Sequence, residues 1–234
     1  MATSSTAEKL NLIILGATGG TGLQLVEQAL KRNYNVTAPV RNPQKLQHIN
    51  HPNLKVVQCD LMNPLDLASK MENHHVVLSA LGQPGLQISA MTFYEDSMKS
   101  IITAMRNSEI KRLICITAFY TKYEPSVYPL KFKLIIRPMI GRHLDSMFIM
   151  EEYLQKECQD IDYTIVRPPR LLDDPIIEKA VKVREDDYFF PDYSTASQIP
   201  RANVARFMLD TLKDGQYLKK AVAIDMPKMM EKSG

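Results

Sequence analysis

Short apolar runs alternate along this chain with longer segments whose apolar residues recur every three or four positions. The runs fall at 12–15, 36–40, 55–58, 75–80, 112–117 and 163–166, with a later one at 221–224. Near-continuous apolar character over four to six residues predicts strands buried on both faces, as in a parallel sheet. The segments 22–32, 64–70, 92–108, 144–157 and 202–213 carry Leu, Ile, Met or Val at helical spacing and predict helices with one apolar face. Strand and helix in turn predict an α/β fold: one doubly wound parallel sheet with helices on both faces, its ligand crevice outside the carboxyl ends of the strands where their order reverses. Pro39 lacks a donor for a sheet ladder, so a local irregularity is expected in the second strand. Segment 119–146 reads as a long irregular connection on the substrate side, and 1–9 and 226–234 as loosely held termini.

Composition narrows this picture. With 234 residues, 45% of them hydrophobic, the chain suffices for one domain spanning 1–234. A formal charge of +3 is too mild for nucleic acid as a partner, and His74-His75 has no cysteine or carboxylate at ligand spacing, so no metal is expected. No run has the length of a membrane-spanning helix, and the opening MATSSTAEK lacks a signal peptide's apolar stretch. A cytoplasmic protein with no membrane role is expected, a monomer for want of a spare apolar helix. Cys59, Cys115 and Cys158, odd in number and widely spaced, read as buried reduced thiols.

The candidate chemistry begins where the first strand runs into Gly16-Ala17-Thr18-Gly19-Gly20-Thr21-Gly22 and then a helix. Gly16 permits a tight turn, Gly19 lets the backbone approach a pyrophosphate, and Gly22 allows close helix packing; the phosphate rests on free N–H groups at the helix start. A tight turn alone also needs glycine, but the position inside a first βαβ unit is that of a dinucleotide site in a Rossmann-like domain. The second strand ends on Arg41, with Lys45 close behind and no carboxylate, which favours NADP(H) over NAD, a solvated surface arginine being the competing reading. Two further strand ends fit the expected cofactor groove, Asp60-Leu61 after Cys59 and Ala80-Leu81-Gly82 after Ser79, with ordinary turn chemistry as the alternative for each.

Taken in order, GATGGTG, VRNPQKL, CDLMNP, SALG, ITAF, YTIVRPPRLLDDP and IPRANVARFML resemble the atypical short-chain dehydrogenase/reductases, in particular their small flavin reductases, also known as biliverdin-IXβ reductases. The resemblance implies NADPH-dependent reduction of flavins, linear tetrapyrroles or quinone-like acceptors. It implies that Arg41 binds the 2′-phosphate, that Thr117 lies beside the nicotinamide ribose, and that Pro168, Pro169, Arg170 and Leu171 border the nicotinamide ring. Three departures stand against it. Thr117-Ala118 replaces a Thr-Ser pair, Met147 stands in place of a histidine, and Tyr153 with Lys156 misses the Tyr-x-x-x-Lys spacing of the wider family. Tyrosine-driven carbonyl reduction is therefore not expected.

What survives is chemistry supplied by the cofactor, with Thr117 as the one candidate catalytic side chain, orienting rather than protonating. Lys122, Lys131, Lys133, Arg137 and Arg142 alternate with aromatic residues through 119–146. Cations beside aromatic faces suit a small planar, anionic acceptor, with Phe119, Tyr120, Arg142 and Arg170 as the candidate contacts. A surface segment whose rings pack on the core is the competing reading. Two functions stay open: an NADPH-dependent reductase, and a non-catalytic NADPH-binding redox sensor.

Overall fold

The computed structural model describes residues 9–82, 92–190 and 197–227. Seven strands run parallel at the centre: β1 (Asn11–Leu15), β2 (Asn35–Val40), β3 (Leu54–Gln58), β4 (Val76–Ser79), β5 (Arg112–Ile116), β6 (Asp162–Arg167) and a late one, β10 (Lys220–Asp225). Their spatial order is β3-β2-β1-β4-β5-β6-β10, so the order reverses between β1 and β4. Every strand read from the sequence is present within two residues of its expected bounds.

Five helices cover the faces: α1 (Gly20–Lys31), α2 (Pro64–Met71), α3 (Phe93–Asn107), α4 (Arg137–Glu157) and α5 (Arg201–Asp214). Helices α1 and α5 pack on one face over Leu12, Ile14, Leu25, Val204 and Met208. Helices α2, α3 and α4 cover the other over Ile13, Leu15, Leu67, Met98 and Leu154. Alternate residues of β1 serve opposite cores, as the period of two in a strand requires. The three cysteines are buried free thiols. No helix among the described residues is long and apolar enough to cross a membrane.

Four expectations change. Strand β2 continues through Pro39, which pairs in register with Val57 of β3. The missing donor is tolerated because the β1–β2 pairing stops at Thr37, short of the proline. Segment 119–146 is not irregular throughout: a π-helical turn, Phe132–Ile136, leads into α4 at Arg137. The helical pattern was hidden because apolar residues lie on both faces there, Phe132 buried and Leu134, Ile135 and Met139 exposed, so no single stripe stands out. Three short strands also escaped the reading. β8 (Lys182–Glu185) pairs antiparallel with β10 at the sheet edge, and β7 (Arg170–Leu172) pairs with β9 (Gln198–Pro200) in a small second sheet. Of the termini, Lys9, Met226 and Pro227 are described, and Met226 packs against the first core.

Candidate functional site

The glycine turn lies at the reversal of strand order. Gly16 has φ +75°, and a Cβ there would stand 2.4 Å from the Ala80 carbonyl oxygen, so the turns after β1 and β4 touch. A Cβ on Gly22 would fall 2.0 Å from the Gly16 oxygen, which is why α1 can start so close to the sheet. Gly19 is the N-cap of α1 and supplies no side-chain oxygen to the first-turn N–H groups, nor does that turn contain a carboxylate. Thr18, Gly19 and Gly20 are exposed, whereas Ala17 and Thr21 are buried beneath them. An uncapped, acid-free helix start open to the outside fits a phosphate.

Gly20 is bare for a reason the sequence did not disclose. Arg201, the first residue of α5, lies across it, and a Cβ on Gly20 would stand 2.7 Å from Arg201 Cδ. Arg201 pairs with Asp173 at 2.6 Å, beyond β7. Asn203, wholly buried, donates to the Ile177 carbonyl at 2.8 Å and accepts from its N–H at 2.9 Å. The stretch IPRANVARFML thus fastens the chain after β7 onto α5, and α5 onto the glycine turn.

At the ends of β2 and β3, Arg41 borders a depression of about 400 Å³ shared with Gln58, Cys59, Asp60 and Asp66. Arg41 and Lys45 are exposed, and neither has an ion-pair partner among the described residues. Asp60 is tied locally, Oδ1 accepting from Met62 N–H at 3.0 Å while its own N–H donates to Asp66 at 2.9 Å. That backbone donor, followed by Lys70, holds the Asp66 carboxyl below its ordinary range. Burial, then the Asp66 charge, pushes the Cys59 thiol up to about 12. The thiol is therefore protonated and unreactive at neutral pH. Leu61 and Leu81 lean on the second core and Ala80 on the first; Gly82 is exposed, and a Cβ there would meet nothing within 4 Å among the described residues.

At the end of β5, Thr117 is buried, and its hydroxyl donates to Glu151 Oε1 at 2.6 Å. Thr121 donates to Glu151 Oε2 at 3.0 Å. Arg167 of β6 closes the network: Nε and Nη2 bond both Glu151 oxygens, Nη1 donates to the Asp187 carbonyl, and the guanidinium stacks 3.9 Å from the Tyr188 ring centre. Glu151 and Arg167 are each 1% exposed. The sequence reading missed both, although a signal existed. Glu151 falls on the same face of α4 as Met147 and Leu154, and Arg167 ends an otherwise apolar strand. Pro168 and Pro169 are buried next in line, Pro168 accepting from Phe119 N–H at 2.9 Å, and Arg170 and Leu171 begin β7.

The expected acceptor contacts separate. Phe119 and Tyr120 are 4% and 2% exposed and pack with Tyr128, Phe132 and Phe190 in a third core cluster, the rings of Tyr120 and Phe132 being 4.4 Å apart. Their faces are spent on one another, which corrects the expectation of an aromatic wall open to a ligand. Arg142 is exposed on α4 and Arg170 on β7.

Comparison with known proteins agrees with this geometry. An uncharacterized chloroplastic protein of Arabidopsis thaliana is 26% identical over 91% of this chain and 75% of its own length. A photosystem II assembly factor, Ycf39, of Guillardia theta is 22% identical over 92% of this chain, which spans 64% of that protein. Among solved structures, an oxidoreductase of Lactococcus lactis superposes with TM-score 0.78 at 18% identity, covering 94% of this chain and 92% of that one. A short-chain dehydrogenase/reductase of Veillonella parvula in complex with NADP gives 0.73 at 19% identity, covering 96% and 98%. These two structures share the fold. Residues 16–215, from the first glycine of the turn to the glycine that ends α5, match the family described as NAD(P)H-binding, and to that family this chain belongs.

Proposed function

We propose that this protein is an NADPH-dependent reductase of a planar acceptor such as a flavin, a linear tetrapyrrole or a quinone. The observation that carries the cofactor choice is Arg41, an exposed cation without an ion-pair partner among the described residues, beside the depression at the ends of β2 and β3. A 2′-phosphate there gains a charge-assisted contact that NAD cannot offer. The N-terminus of α1 would hold the pyrophosphate, and the strand ends at Thr117 and Pro168 would border the nicotinamide. When bound, the dinucleotide supplies a hydride equivalent, and water supplies the accompanying proton. Thr117 is not the acid, since its one hydroxyl proton is held by Glu151, and it acts by fixing the end of β5.

The self-packed rings of Phe119 and Tyr120 favour a second reading, a non-catalytic NADPH-binding sensor. One experiment separates the two. The purified protein is mixed with NADPH and, in turn, FMN, biliverdin and a soluble quinone, and the loss of reduced-nicotinamide absorbance is followed. Turnover with any of them supports the reductase; tight NADPH binding without turnover on all three supports the sensor.

A further inference from the structure

The helical stretch from Leu130 into α4 presents its apolar residues outward. Leu130 and Leu134 are each 68% exposed, Ile135 55% and Met139 58%. Leu134, Pro138 and Arg142 succeed one another at four-residue steps, as do Lys131, Ile135 and Met139, so these residues share one face. The opposite face, Phe132, Ile136 and Leu144, packs into the third core, so the outward face is not surplus core. Contiguous apolar surface of this kind marks a contact site. Between 122 and 142 the chain carries five cations and one carboxylate, Glu124, although the whole chain has a net charge of only +3. Arg137 is neutralised by Asp145, but Lys122, Lys131, Lys133 and Arg142 have no ion pair among the described residues.

Exposed aliphatic residues bordered by unpaired cations match the surface of an anionic bilayer, whose acyl boundary takes the former and whose phosphates attract the latter. We propose that this face docks the protein on an anionic lipid surface, lying in the interface with no helix crossing it. Charge favours a lipid over a second copy of the chain, because a symmetric pairing would bring the same cations together. The proposal is independent of the reductase reading, since it concerns where the protein sits and not what it reduces.

The test uses the full chain and vesicles of phosphatidylcholine, either pure or with about one third phosphatidylglycerol. Sedimentation with the anionic vesicles, weakening with salt, is expected, together with weak binding to the neutral ones. L134E/I135E/M139E abolishes it. K131E/K133E lowers partition about twenty-five-fold or more, at roughly fivefold per cation. Retained NADPH binding shows that both variants are folded. Because the sequence has no tryptophan, M139W gives a single emission that shifts to the blue on anionic vesicles. Absence of vesicle binding, or equal binding to both compositions, overturns the proposal. So does a concentration-dependent dimer that the same apolar variant dissolves while vesicles leave Trp emission of M139W unmoved.

Discussion

Two arginines stand at strand ends of the same sheet, with three strands between them, and have opposite fates. Arg41, after β2, is exposed beside a depression and has no ion pair among the described residues; Arg167, in β6, is 1% exposed with its guanidinium held by Glu151, the Asp187 carbonyl and the Tyr188 ring. A cation kept in water retains its capacity for a ligand, whereas one removed from water must be matched inside the protein or it destabilises the fold. The difference separates a cation left available at the surface from one used up inside the fold, which is why the proposed phosphate contact is sought at Arg41 and not at Arg167.

Removing one partner of the buried pair has the largest expected effect. Glu151→Ala strands Arg167 without a counter-charge and costs about 3–5 kcal/mol in urea unfolding. The double variant E151M/R167M lies closer to the parent, because two apolar side chains leave no buried charge behind. If the double variant is no better than the single, the pair is more than a matched burial and the contrast with Arg41 fails. Arg41→Ala acts on binding instead. NADPH affinity falls about tenfold to a hundredfold with NADH affinity unchanged, measured by titration calorimetry, while stability stays within about 0.5 kcal/mol. Equal losses for the two dinucleotides would remove Arg41 from the 2′-phosphate. Thr117→Val takes away one of several donors to Glu151 and costs about 1 kcal/mol in the same unfolding assay; a loss as large as that of Glu151→Ala would mean the hydroxyl organises the whole network.

An exposed pair completes the series with the smallest effect. Arg106 chelates Asp160 through two hydrogen bonds, which together with its charge lowers the Asp160 carboxyl from its ordinary 3.8 to about 2. The folded state therefore gains from this carboxylate above about pH 4, and the gain is lost as pH falls toward 2. A carboxyl resonance followed by NMR is expected to titrate near 2 and to return to the ordinary range in Arg106→Ala. Screening by water and salt keeps the effect on stability slight.

The seven parallel strands were legible because each is centred on a short apolar run, and the glycine turn because Gly16 and Gly22 answer local steric demands. Arg41 was legible from its place at a strand end. Glu151 and Arg167 were not, because a buried charge reads as a surface charge until the opposite charge on another element is known to face it. Gly20 was counted among the cofactor glycines, but its bareness is explained by Arg201, 181 positions later. Arg137–Ile140 was not legible as helix for a different reason: apolar residues stand on both faces there, Met139 outward and Ile136 inward, so no single stripe marks the turn.

The position of Arg201 over Gly20 also bears on how the protein is made. The glycine turn spans residues 16–22, yet the side chain that lies across it and the helix that packs on α1 follow about 180 positions later. During synthesis the early strands can pair as they emerge, but the glycine turn stays without its cover until residue 201 has left the ribosome. The glycine turn thus reaches its final packing through a contact between residues 181 positions apart.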